Sequence, residues 1–136
     1  DRYVGLTKAL EEANIPYDKK DFKALHPMKE ERIRIYEQLF LEMADYTAAF
    51  AAADMYAIEF MNFLQGKGVR IPEDFAVIGF DDIPLASMVY PPLTTISQNL
   101  EIRAKVAVEL LMELISGRAE GRQELLPVTL VERDSV

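Results

Sequence analysis

Three carboxylates stand directly after the two most apolar strand candidates of this sequence. Asp54 follows the run Ala48–Ala52, and Asp81 and Asp82 follow the run Phe75–Phe80. A carboxylate accepts several hydrogen bonds at once, so it suits the recognition of adjacent hydroxyl groups. Carboxylates also hold magnesium or act as general acids and bases, which leaves an enzymatic alternative open. Against that alternative, the sequence offers no credible nucleophile and no Gly-rich phosphate loop.

Each of these carboxylates also has a purely structural interpretation. Asp54 stands at the start of a helical pattern, where it is the natural N-cap. Asp81 can cap or shape the loop after its strand, and a structural role is the more typical one for Asp82. The choice between these roles depends on the elements that position the three residues.

Helical and strand patterns alternate along the chain. The helical patterns cover Arg2–Asn14, Lys29–Met43, Asp54–Leu64 and Leu100–Ser116. The strand patterns cover Phe22–Leu25, Thr47–Ala52, Phe75–Phe80, Thr94–Gln98 and Leu125–Val131. Asn99 is the predicted N-cap of the last helix, and Gly117 ends it. The alternation predicts an α/β fold, a parallel sheet with helices on both faces and ligands beyond the carboxyl ends of its strands.

Composition excludes several classes of function. The 136 residues are enough for one ordinary domain. Their net charge of −8 argues against a nucleic-acid-binding module, which needs a basic surface for the phosphate backbone. Without Cys and with the single His26, the sequence has no disulfide framework and no thiolate or His-rich metal site. No stretch approaches the apolar length of a membrane span. The chain opens at Asp1 within a helical pattern, without initiator Met or signal peptide, so we expect a fragment of a longer protein.

Four segments in order resemble one family, the LacI/GalR transcriptional regulators. Ala51–Ala57 resembles the family's A-x-N-D-x-x-A, and Gly68–Asp82 resembles G-x-x-I-P-x-D-x-x-V-x-G-F-D-D. Pro91–Gln98 resembles P-P-L-T-T-I-x-Q, and Leu126–Ser135 resembles the terminal L-P-x-x-L-x-x-R-x-S. A fifth, looser match is R-x-x-G-F/W at Arg2–Leu6. Each segment alone is a weak signal, whereas all four in order are very specific.

The resemblance implies a fold of the periplasmic-binding-protein type, in which two α/β subdomains enclose a small ligand. Residues 1–92 would form most of the C-terminal subdomain. Residues 93–122 would supply a crossover strand and a helix of the N-terminal subdomain, and residues 123–136 a return strand and tail. The DNA-binding headpiece would lie outside this chain.

The family's ligand-binding positions fall, by this resemblance, on Arg2, Asp54, Asp81 and Gln98. Asp81 is the strongest of these candidates. The alternatives are a frayed chain end for Arg2, an N-cap for Asp54, a turn for Asp81 and a plain polar strand end for Gln98. The sequence departs from the family at Ala53, where many members carry Asn. One amide available for ligand contact is therefore missing, which argues against hexose recognition of the usual kind.

Dimer contacts are the second role that the resemblance implies. They fall on Met55, Ile58, Asn62, Met88 and Val89. Independently, eight of the twelve residues in 55–66 are apolar, more than a helix with one face in water requires. A generously covered core helix would explain this count equally well. The apolar stripe of Leu100–Ser116 would also need a partner, and exchange between chains is one solution.

The sequence therefore predicts the effector-binding and dimerisation region of a LacI/GalR-like regulator. Its expected effector is a sugar or related polyol, bound without a cofactor, in a cytoplasmic homodimer that contacts DNA only through residues outside this chain. The first alternative is a periplasmic sugar-binding component of a transport system, which shares the fold. The second is an enzyme built on Asp54, Asp81 and Asp82.

Overall fold

A computed structural model describes residues 2–117, 121 and 123–136. The chain divides into two compact units, Asp1–Tyr46 and Thr47–Val136. The predicted subdomain boundaries after residues 92 and 122 stay predictions, and residue 122 lies outside the described residues. Across the described part of the chain, every helix falls short of the length and apolarity that a membrane crossing requires.

The first unit is helical. It contains α1, Arg2–Glu12, and α2, Lys29–Glu42, with single 3₁₀ turns at Lys19–Asp21 and Met43–Asp45. The predicted strand at residues 22–25 is wrong. The Phe22 ring instead packs edge-on against the rings of Tyr3 and Tyr17, with centroids 4.6 and 5.8 Å away. A strand needs a hydrogen-bonding neighbour, and the described part of this unit contains no other strand.

The second unit carries the sheet. Its strands are β1 (Ala48–Phe50), β2 (Ala76–Ile78), β3 (Thr95–Ser97) and β4 (Thr129–Val131), and its helices are α3 (Asp54–Gly66) and α4 (Leu100–Ile115). β1 pairs with β2 in parallel, and parallel bridges at Ile78–Thr94 and Asp81–Ser97 connect β2 to the β3 segment. The predicted α/β architecture is thus confirmed, with shorter strands than the sequence patterns indicated.

The last strand differs from the all-parallel prediction, because β4 runs antiparallel to β3. The register explains the reversal. Thr129, the first residue of β4, pairs with Ser97, the last residue of β3, so the chain re-enters at the end that β3 has just reached. From there it can only run back along its neighbour.

The core of this unit lies between α3 and β2. Val77 is fully buried on β2, and the Phe60 and Phe75 rings pack edge-on with centroids 6.2 Å apart. The apolar side chains that α3 buries are those of Ala57, Ile58, Phe60, Met61 and Leu64. By contrast, α4 has no buried residue.

The turn between α3 and β2 is closed by one ion pair. Asp74 Oδ2 accepts hydrogen bonds from the backbone N and the Nε of Arg70, both at 2.9 Å. These side-chain and backbone hydrogen bonds from Arg70 lower the pKa of Asp74 to about 2. The Ile-Pro-Glu-Asp segment therefore carries its Asp for a structural reason, since the carboxylate fixes the approach to β2.

Candidate functional site

Three of the predicted ligand-binding residues lie where three neighbouring parallel segments end. Asp54 follows β1, Asp81 follows β2 and Gln98 follows β3. The backbone ladder continues past the strands, because Asp54 N donates to Phe80 O at 2.8 Å and Asp81 N donates to Ile96 O at 2.9 Å. This edge of the sheet is where a parallel α/β architecture places its ligands.

Asp81 and Gln98 are in direct contact. Gln98 Nε2 donates to Asp81 Oδ1 at 2.6 Å, and Gln98 Oε1 accepts from Arg103 Nη1 at 2.5 Å. The amide of Gln98 is thereby oriented at both ends, with its donor toward the carboxylate and its acceptor toward the guanidinium. A carboxylate, an amide and a guanidinium thus form one polar chain across β2, β3 and the start of α4.

The backbone of the Asp81–Asp82 loop is strained. Asp81 has φ 121° and Asp82 has φ 55°, both in the region that L-residues rarely adopt. Each such conformation costs about 1–3 kcal/mol and persists only where its surroundings hold it, a situation typical of functional sites.

Asp82 is held by an ion pair with the C-terminal segment. Arg133 Nη2 donates to Asp82 Oδ1 at 2.7 Å, and Arg133 Nη1 donates to Leu93 O at 2.7 Å. Both charged side chains are largely buried, with 25% and 18% of their surface exposed for Asp82 and Arg133. Asp82 therefore has the structural role that its sequence position favoured.

Asp54 is fully buried, and its carboxylate is engaged by protein donors. Thr95 Oγ1 donates to Oδ1 at 2.5 Å, and the Ile83 backbone N donates to Oδ2 at 2.9 Å. The predicted N-cap role is wrong: Ala53 is the N-cap residue, and Asp54 is the first residue of α3, with no side-chain cap bond. The carboxylate turns away from the helix end because one of its two donors lies on β3 and the other in the loop after β2.

Gly79 makes room for that carboxylate. A Cβ atom at residue 79 would lie 2.2 Å from Asp54 Oδ1 and 2.9 Å from Leu93 Cδ2. The Gly in the Val-Ile-Gly-Phe-Asp-Asp segment is therefore required for close packing of Asp54 beneath the site.

The C-terminal segment connects Thr94, which directly precedes β3, to β2. Ser135 is fully buried, its Oγ accepts from Thr94 N at 2.8 Å and donates to Val77 O at 2.6 Å. Sequence reasoning matched Arg133 and Ser135 only as letters of the terminal R-x-S motif and assigned them no role. The R-x-S motif and the Thr94–Thr95 pair are the sequence features that could have indicated these contacts. No sequence feature indicated a role for Arg103.

The remaining predicted residues are distributed over both units. Arg2 lies exposed at the start of α1, in the first unit. On the second unit, Met55 and Met88 are 58% and 77% exposed, Asn62 is exposed and Val89 is half-buried. Ile58, at 6% exposed, belongs to the core of its own unit.

The three carboxylates do not converge on one point. Asp54 faces Thr95 and Ile83, Asp81 faces Gln98, and Asp82 faces Arg133. Within the described ranges, no group of three acidic or His side chains is arranged to hold a metal ion. This geometry does not favour a magnesium or acid–base cluster of the three residues.

Comparison with known proteins places this architecture in a family. The family described as periplasmic binding protein-like domain matches residues 1–136. The HTH-type transcriptional repressor PurR of Vibrio atlanticus is 37% identical over 139 residues, which cover 100% of this chain and 41% of the repressor. The chain therefore spans less than half the length of this curated relative.

Two solved structures share the fold. The transcriptional regulator CelR in complex with cellobiose superimposes with a TM-score of 0.89 at 29% identity, over 99% of this chain and 42% of the regulator. The Lac repressor dimer bound to operator and the anti-inducer ONPF gives a TM-score of 0.82 at 30% identity, over 98% of this chain and 40% of the repressor. The chain belongs to the periplasmic binding protein-like domain family and, within it, to the effector-binding regions of the LacI/GalR regulators.

Proposed function

We propose that this chain is the part of a transcriptional repressor that binds a small hydroxylated effector, with DNA binding carried by other residues. The observation that carries the proposal is the Asp81–Gln98 hydrogen bond at the ends of neighbouring parallel strands. The names of the relatives support it, since one is an HTH-type repressor and another was solved with the sugar cellobiose. No catalytic step is part of this function.

Asp81 is the principal ligand-binding residue in this proposal. Its carboxylate accepts hydrogen bonds from ligand hydroxyls, and the strained backbone at residues 81 and 82 presents it beyond the strand end. Gln98 orients the carboxylate and adds its second amide hydrogen. Arg2 remains a proposed ligand contact. Asp54 supports the site through Thr95 and Ile83, because a fully buried carboxylate with two protein donors is poorly placed to bind a ligand directly.

The regulatory mechanism follows from the position of Gln98. This residue lies between the end of β3 and Asn99, the cap of α4. A ligand held by Asp81 and Gln98 therefore contacts the chain where it passes from the sheet into α4. A ligand that binds one arrangement of these elements more tightly shifts the population toward that arrangement. In the repressor, that shift changes the affinity for DNA.

We further propose a cytoplasmic homodimer. Its contacts are assigned to the exposed side chains of Met55, Asn62 and Met88, with Val89 beside them. The structurally similar Lac repressor was solved as a dimer on its operator. Because α4 buries none of its residues against the described chain, exchange of this helix between copies is a second route to a dimer.

The function is tested by Asp81→Ala in the protein expressed from its native coding sequence. We expect the variant to bind a DNA fragment carrying its own promoter as the parent protein does and to lose its response to the effector. Asp45→Ala, at an exposed carboxylate of the first unit, is the control for charge removal and should respond normally. An unchanged effector response in Asp81→Ala would refute the site assignment. A protein that binds sugar and no DNA would instead favour the transport alternative.

A further inference from the structure

The hydrogen-bonded series Asp81–Gln98–Arg103 begins with an anionic group and finishes with a cationic one. Asp81 presents acceptor oxygens, Arg103 presents guanidinium donors, and Gln98 separates the two. A ligand of hydroxyl groups alone would use the acceptor end. The donor end fits a different kind of group, one made of acceptor oxygens.

Arg103 is exposed, and it has donors beyond the one bonded to Gln98. Only its Nη1 makes a side-chain hydrogen bond to a described residue, the bond to Gln98, and no carboxylate of the described chain forms an ion pair with it. A guanidinium carries five N–H donors in a planar fork that matches a carboxylate or phosphate. Glu101 precedes it by two residues on the helix and so projects from a different face.

The position of Arg103 near the start of α4 also favours an anionic ligand. Asn99 caps α4, with Oδ1 accepting from Ile102 N at 3.2 Å. Arg103 is the fourth residue of the helix, with its backbone N bonded to Asn99 O at 3.0 Å, and its side chain lies near this end. The N-terminus of a helix favours anions and disfavours cations. The Arg103 guanidinium is held near this helix end by the neutral amide of Gln98. An anionic ligand group beside the guanidinium would offset the unfavourable interaction of that cation with the helix N-terminus.

We propose that Arg103 is a specificity-determining residue and that it selects an effector carrying an anionic group beside its hydroxyls, an acidic or phosphorylated sugar. Asp81 takes the hydroxyls and Arg103 takes the carboxylate or phosphate oxygens. The inference rests on the proposed effector site and deepens it, since it names the class of ligand.

The test compares neutral sugars with their anionic counterparts by isothermal titration calorimetry on the protein expressed from its native coding sequence. The pairs are glucose with glucuronate, galactose with galacturonate, ribose with ribose 5-phosphate, and glucose with glucose 6-phosphate. We expect the anionic member of at least one pair to bind about tenfold more tightly or better. The two uronate pairs and the two phosphate pairs distinguish a carboxylate from a phosphate as the recognised group.

Two variants assign the preference to Arg103. Arg103→Gln removes the charge and the fork, and Lys105→Gln removes a charge from an exposed position two residues further along α4. The anionic preference should fall about tenfold in Arg103→Gln and persist in Lys105→Gln. Arg103→Lys keeps the charge without the fork and should restore part of the preference.

The outcomes separate this inference from the function on which it rests. Neutral sugars that bind as tightly as their anionic partners, or equal losses in Arg103→Gln and Lys105→Gln, would overturn the role of Arg103 and leave the sugar-binding function standing. If no neutral or anionic sugar binds, the proposed sugar effector itself fails, and the inference fails with it.

Discussion

Helices α3 and α4 have similar apolar content and opposite surroundings. Eight of the thirteen residues of α3 and eleven of the sixteen residues of α4 are apolar. α3 buries five of its apolar side chains against its own unit, whereas α4 buries none. Seven large apolar residues of α4 are exposed: Leu100, Ile102, Val108, Leu111, Met112, Leu114 and Ile115.

The difference shows that the apolar content of a helix does not by itself decide whether its side chains are buried. Burial also requires a neighbouring surface on which the helix can pack. α3 lies next to β2, where Val77 is fully buried, and the Phe60 ring of α3 packs against Phe75, which directly precedes β2. No described residue offers α4 a comparable surface. We therefore expect packing to dominate the stability contributed by α3, and local features such as capping to dominate that of α4.

The largest contrast is expected for truncation of one Leu on each helix. Leu64→Ala empties a fully buried site on α3 and should lower the free energy of unfolding by about 2–5 kcal/mol. Leu111→Ala changes a side chain that is 55% exposed on α4 and should cost about 0.5 kcal/mol or less. Urea unfolding measures both. A concentration-dependent cost for Leu111→Ala as large as that of Leu64→Ala would show that a second copy covers α4.

The acidic residue in the first turn of each helix gives the next contrast. Asp54→Ala in α3 leaves the donors of Thr95 and Ile83 unpaired in the interior and should cost about 2–3 kcal/mol of folding free energy. Glu101→Ala in α4 removes an exposed charge near a helix end and should cost less than about 1 kcal/mol. Adding Thr95→Val to Asp54→Ala should cost less than the sum of the single changes. Additive costs would show that the two side chains act independently.

A glycine pair tests how tightly the α3 side of the site is packed. Gly79→Ala drives a methyl group against Asp54 and Leu93 and should lower stability by about 1–3 kcal/mol. Gly66→Ala, at the end of α3 with open space around the new Cβ, should be neutral or stabilise by up to about 1 kcal/mol. Thermal unfolding compares the two variants. Equal stability of both would mean that residue 79 has more room than the structure shows.

The cap of α4 should matter more to its helix than any of its apolar side chains. Asn99→Ala removes the bond to Ile102 N and leaves a β-carbon at φ 47°, so we expect a loss of about 1 kcal/mol. Asn99→Gly also removes the bond but suits the left-handed backbone, and its cost should be only a few tenths. Amide hydrogen exchange across α4 reports the fraying directly. Full protection in Asn99→Ala would point to packing on α4.

The smallest effect concerns the turn between α3 and β2. The bonds from Arg70 lower the pKa of Asp74 to about 2, against about 3.9 for a free side chain. The associated stabilisation is present above the unfolded value and is lost as pH falls toward 2. In Arg70→Gln, an NMR titration should find the pKa of Asp74 moved back toward 3.9. A pKa that stays near 2 would assign the shift to other neighbours.

The prediction of the fold succeeded where a pattern was long or capped. Periodicity identified the four helices to within a few residues, and Asn99 was predicted and found as the cap of α4. The strand at residues 22–25 failed, because a short apolar run carries no information about whether a strand partner exists. The direction of β4 failed because the order of elements does not state at which end the chain re-enters the sheet.

The prediction of the site was partial for a similar reason. The residues at the strand ends followed from the order of elements and from the motifs, and Asp81 and Gln98 do lie together. The burial of Asp54 did not follow, since it depends on Thr95, 41 residues away in sequence. A role for Arg103 could not be predicted from the sequence, because that role depends on its hydrogen bond to the amide of Gln98.

The sequence alone determined the helical segments, the polar residues that follow the first three strands, and the family to which this chain belongs. Local periodicity, capping chemistry and motif spacing depend on residues that are close together in the sequence, so they can be recognised without knowledge of the fold. The tertiary structure decided which carboxylate is buried, which lies beside a guanidinium, and which apolar helix finds a surface. Those outcomes depend on hydrogen bonds and packing between residues far apart in the chain, and only the folded backbone brings such residues together.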